Sequence, residues 1–174
     1  MKKKPLKQTL IKDKLLLCLS LMLVVLVLTA CGAATATPTA SVEHQNHTYY
    51  PDITDTITTQ KWKSGDEVRI SWKARSAEYT NSARPIDISL QLSLYGPAAT
   101  KQDAEKLIAT GTPLVAAPLV QTDSWSGQDL ASTFVLPARL APGTYHLVTQ
   151  IEYVDPNKGS RTQTTSTSAI TVVG

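Results

Sequence analysis

Ile86-Asp87-Ile88-Ser89-Leu90-Gln91-Leu92-Ser93-Leu94-Tyr95 alternates aliphatic and polar residues without a break. Side chains of a strand point to opposite faces in turn. Ile86, Ile88, Leu90, Leu92 and Leu94 therefore share one face, and Asp87, Ser89, Gln91, Ser93 and Tyr95 the other. A helix would scatter the five aliphatic residues around its axis, because its period is 3.6 and not 2. The stretch predicts a half-buried strand whose apolar face packs on a second layer.

The same logic extends outward on both sides. Upstream, Val68, Ile70 and Trp72 alternate with Arg69, Ser71 and Lys73. Residues 52–59 are rich in β-branched side chains, with Ile53 and Ile57 on one face, and they end before a turn at Ser64-Gly65-Asp66. Downstream, Thr100 and Asp103 have the spacing of a capping box, and Ala104, Leu107 and Ile108 follow at helical intervals, so a short helix is expected over 101–108. Gly111, Pro113 and Pro118 punctuate the apolar stretch 114–120, which suits an edge strand. Asp123-Ser124-Trp125-Ser126-Gly127 reads as a loop carrying an indole. Strands then follow over 130–136, along Tyr145, Leu147, Ile151 and Tyr153, and over 162–173, the last two joined by a turn at 155–159. Short strands at this spacing predict an all-β, antiparallel β-sandwich of about seven strands over 52–174.

Leu140-Ala141-Pro142-Gly143-Thr144-Tyr145 resembles the tyrosine corner of immunoglobulin-like and fibronectin-type sandwiches. The resemblance implies an immunoglobulin-like architecture in which the Tyr145 hydroxyl bonds to nearby backbone. Leu147 stands two residues after that tyrosine, where a disulfide cysteine would be in an antibody domain. Trp72 is expected to supply core bulk.

The N-terminal part has a different character. Six lysines (Lys2, Lys3, Lys4, Lys7, Lys12 and Lys14) precede an apolar run over 15–28 that contains one polar residue, Ser20, and is shorter than the roughly 20 residues that span a bilayer. The run closes on Leu28-Thr29-Ala30-Cys31. This order resembles the lipobox of bacterial prolipoproteins. The resemblance implies that 1–30 is a signal peptide, that Cys31 receives a diacylglycerol, and that cleavage occurs just before it. The mature protein is then expected on the extracytoplasmic face of the cell membrane. Gly32, and not Asp, follows Cys31, so the inner-membrane retention signal of two-membrane bacteria is missing and the outer membrane stays open as a destination.

Residues 31–51 follow as an Ala/Thr/Pro-rich segment without periodicity, expected to be a flexible tether with a reach of roughly 65 Å when extended. Of seventeen bases six precede Cys31, and of fourteen acids one does, which leaves eleven bases against thirteen acids. A mature chain of net charge −2 does not favour nucleic acid as a partner. Cys18 leaves with the signal peptide and an acylated Cys31 has no free thiol, so the core must hold the domain without a disulfide.

Chemistry-bearing residues are few. His44, His47 and His146 are the only imidazoles, and no Gly-x-Ser-x-Gly or His-Glu-x-x-His stretch is present, so a non-catalytic role without a cofactor is expected. His44 and His47 are the weak candidates for a metal, which would make the protein a metal-handling lipoprotein if a third ligand joined them. Tyr49, Tyr50, Trp62 and Trp125 lie in or near expected turns and form the candidate binding surface. The main reading is a lipid-anchored envelope protein with a binding or structural role, whose partners are the membrane, through Cys31, and an envelope protein or glycan. A carbohydrate or cell-wall module is the first alternative, and it requires Trp62 and Trp125 to be exposed on one surface.

Overall fold

In a computed structural model that describes residues 42–174, the alternating stretch becomes an interior strand of a six-stranded sheet. The described residues form nine strands and two helices. They are β1 (His44–Asp52), α1 (Asp55–Thr59), β2 (Lys61–Lys63), β3 (Glu67–Thr80), β4 (Asp87–Tyr95), α2 (Lys101–Thr110), β5 (Val115–Ala116), β6 (Val120–Asp123), β7 (Leu130–Val135), β8 (Gly143–Asp155) and β9 (Ser160–Val173). The expected signal peptide, Cys31 and the first part of the expected tether lie outside the described residues.

The strands divide into two curled sheets, ordered β1-β3-β7 and β2-β9-β8-β4-β5, with β6 also pairing β4. Ile88, Leu90, Leu92 and Leu94 of β4 are buried, as their shared parity requires, and Ile86 packs on the same core just ahead of the strand. Across β4, antiparallel β8 sets Leu147 opposite Leu94 and Ile151 opposite Leu90. The first sheet contributes Val68, Ile70 and Trp72 from β3 and Phe134 from β7 to the same apolar cluster. Two sheets sharing one core make an all-β sandwich.

The corner expected at Tyr145 is present. Its ring is buried and its hydroxyl donates to the carbonyl of Ala141 at 2.9 Å. Ala141 is itself exposed, so water can replace the lost donor. Tyr145→Phe should therefore cost only about 1 kcal/mol in chemical denaturation, and an unchanged midpoint would show that the corner does not hold the β8 entry.

Three expectations change. The tether does not extend to Pro51, because residues 44–52 form β1, which pairs antiparallel with β3 from His44↔Thr80 to Asp52↔Ser71. The strand expected over 52–59 is only the end of β1 followed by α1. Here the chain crosses between sheets, from Asp52 in the first to Lys61 in the second, and the threonine hydroxyls stabilise a helical turn. Thr58 Oγ1 and Thr59 Oγ1 both donate to the carbonyl of Asp55, at 3.1 and 2.7 Å. The apolar stretch near Pro118 is two short edge pieces, β5 and β6, instead of one strand. The expected helix is α2, capped by the Thr100 hydroxyl, which accepts from the Asp103 N–H at 3.2 Å.

Candidate functional site

The described chain enters the domain at one end of the sandwich, and there three loops meet. His44 opens β1 opposite Thr80, the last residue of β3; Asp87 opens β4 opposite Asp123 and Val154. The loop at 123–127 is built as its composition suggests. Asp123 Oδ1 accepts the backbone N–H of Trp125 at 2.8 Å, an Asx turn, and Gly127 takes φ +61°. A side chain at Gly127 would also press on the His47 ring, since a Cβ there would lie 2.8 Å from it.

Ser124, buried beneath this loop, ties the end together. Its hydroxyl donates to Asn46 Oδ1 at 3.0 Å and accepts the Ile86 N–H at 3.0 Å, while its own N–H donates to the Ile86 carbonyl at 2.9 Å. Its carbonyl accepts the His47 N–H at 2.6 Å, with His47 Nδ1 3.3 Å from the same oxygen. One serine thus holds β1 and the start of β4 to the loop. Above it, the imidazole of His44 stacks on the indole of Trp125, with ring centroids 3.7 Å apart and planes 11° from parallel.

Ser124 also lines an open cleft of about 410 Å³, together with Asn46, His47, Tyr79, Tyr153 and Lys158 among others. The Tyr153 hydroxyl spans from the second sheet to β1, accepting the Tyr49 N–H at 3.2 Å and donating to the Tyr49 carbonyl at 3.3 Å. Burial raises its pKa above the usual phenol value, opposed by the backbone bond from Tyr49. Close by, Asp129 accepts from Lys73 Nζ at 2.8 Å and from the Ala74 N–H at 3.0 Å, and both bonds hold its carboxyl below the ordinary range.

The sequence candidates do not form one surface. Trp62 is 6% exposed and its Nε1 donates to the Ile57 carbonyl at 3.0 Å, so it is core. Tyr49, at 4%, is also core, with its hydroxyl buried and without a hydrogen-bond partner among the described residues. Tyr50, next along β1 and on the opposite face, is 49% exposed. Trp125 is half-buried and not open, because His44 covers one of its faces, and its Nε1 is also buried without a partner. Tyr79, 65% exposed at the end of β3, was not among the candidates. Its signal in the sequence is weak, since an isolated tyrosine between Glu78 and Thr80 shows no partner.

His44 is engaged with Trp125 and His47 with Ser124, and no group of three histidine, cysteine or acidic side chains able to hold a metal occurs among the described residues. The third ligand needed by the metal reading is therefore not found there. His146 is buried on β8, with Nε2 3.4 Å from the Ala98 carbonyl. No helix among the described residues is long and apolar enough to cross a membrane. No family model and no curated protein matches the chain.

Proposed function

We propose that this protein is a lipid-anchored binding module on the extracytoplasmic face of a bacterial envelope, engaging a protein partner through the loop end of its sandwich. The observation that carries the reading is the open cleft lined by exposed Tyr79, by Tyr153 and by the Ser124 that ties this end together. Aromatic rings beside a concave, mixed-polarity surface are what interface hot spots use. Leu28-Thr29-Ala30-Cys31 supports the anchor by its resemblance to a lipobox. A protein segment suits the end better than a glycan, because the glycan reading needs Trp62 and Trp125 exposed on one surface. His44 occupies one face of Trp125, and Trp62 lies in the core.

Two separate measurements test the two halves. Cys31→Ala in the full chain should leave an uncleaved precursor, and a cleaved, unmodified Cys31→Ala protein would remove the lipid anchor from the proposal. A photo-reactive side chain at position 79 should give a defined heavier adduct in the native envelope, and one at position 119, on exposed Leu119, should not. Equal adducts at both positions, or none at 79, would sink binding through the loop end.

A further inference from the structure

The outer edge of the larger sheet carries an unprotected strand. β9 pairs with β8 in unbroken register from Asp155↔Ser160 to Gly143↔Val172, with no bulge. On its other side β2 pairs only with Thr171–Val173. Ser160 to Thr167 are all exposed, including Thr162, Thr164 and Ser166, which share the inner face with buried Ile170 but have no opposing sheet to cover them. Among the described residues no backbone partner lies along this outer edge between 160 and 167.

Exposed edges are templates for strand addition, and proteins usually blunt them with prolines, bulges, charges or short length. The edges at β1 and at β5 and β6 are blunted in this way. β1 has a register break between Gln45 and His47, ends near Pro51, and has the Tyr49 backbone occupied by Tyr153. β5 and β6 are two and four residues long. β9 runs fourteen residues without proline, and its one charged side chain, Arg161, is held by Glu152 through two bonds, Nη2 to Oε2 at 2.8 Å and Nε to Oε1.

We propose that this edge pairs with the β9 of a second copy of the chain, antiparallel about a two-fold axis, to make one sheet continuous across two domains. The strand is self-complementary for such pairing. Residues opposite one another must share a face, so the axis passes through a single residue, and the centre of the free stretch is Gln163 or Thr164. Either register sets Arg161 opposite a threonine, Thr165 or Thr167, and places no like charges together. The remaining opposed pairs are dominated by Thr and Ser, side chains that hydrogen-bond across strands. The free edge ends before β2, so the partner strand displaces nothing.

The test uses the full chain in its own membranes. Gln163→Cys and Thr164→Cys should form disulfide-linked dimers under mild oxidation, because a residue near the axis meets its own copy. The wild-type chain and Lys101→Cys, at exposed Lys101 on α2, should not. In detergent extracts the wild-type chain should sediment as a dimer, and Thr164→Lys should convert it to a monomer with an unchanged melting temperature. A monomeric wild-type chain, cross-linking equal at 101 and 164, or an adduct at 164 containing a different polypeptide would overturn the proposal.

Discussion

Trp72→Ala should lower the unfolding free energy by about 3–5 kcal/mol, the range for truncating a large buried aromatic ring. The indole is 0% exposed and sits in the core shared by both sheets. Its Nε1 donates to Ser132 Oγ at 2.8 Å, and Ser132 is buried on the neighbouring strand β7. Truncation therefore opens a cavity and also leaves a buried hydroxyl without its partner, so the two costs add. Trp72→Phe separates them, since it keeps most of the volume and removes only the donor. Adding Ser132→Ala to that variant should recover part of the loss, and the coupling measured in this cycle is the worth of the hydrogen bond. Equilibrium denaturation that finds Trp72→Ala within 1 kcal/mol of wild type would mean the sheets do not share this core.

Gly96→Ala should cost about 1–3 kcal/mol from the backbone alone, because Gly96 has φ +125°, a conformation that L side chains rarely adopt. Space is also short. A Cβ at this position would stand 3.2 Å from Tyr145 Cδ1 and 3.3 Å from both the Ala98 nitrogen and the Thr144 carbonyl oxygen. The two backbone contacts cannot move freely, since the Ala98 N–H donates to that same Thr144 carbonyl at 3.0 Å. The strain is thus delivered to the tyrosine corner. A thermal melt of Gly96→Ala should fall well below that of Tyr145→Phe, and the reverse order would show that this turn relaxes at little cost.

The residues that could be placed from sequence are those whose burial is decided by their own strand. Alternation in 86–95 needs only the parity of each position to sort Leu90 from Gln91, and Tyr145 announces itself by the Pro-Gly turn before it. β1 has no comparable pattern. Its burial is mostly intermediate, with Tyr49 alone fully covered, and what makes it a strand is a partner, Ser71 to Thr80, that the local sequence does not reveal. The same is true of the indoles. The sequence reads Trp125 as an indole on a loop, but its cover comes from His44, on a strand far away in the chain. Trp62 looked like a turn residue, yet its N–H finds the Ile57 carbonyl because the crossing between sheets folds α1 back over it. Ser124 could not be singled out at all, since its importance lies in joining β1 to the start of β4.

The entry of the chain beside the cleft has a mechanical consequence. If the loop end holds a partner as proposed, a pull on the backbone ahead of Val42 is met first by the opening residues of β1 and by their bonds to Ser124. Residues 44–48 are joined to 75–80 and to Ser124 of the Asp123–Gly127 loop, whereas the ladder of β4, β8 and β9 belongs to the other sheet. In that arrangement tension reaches Asn46, His47 and Ser124, which line the cleft, ahead of the larger sheet, and a grip at this end would be sensitive to stretch.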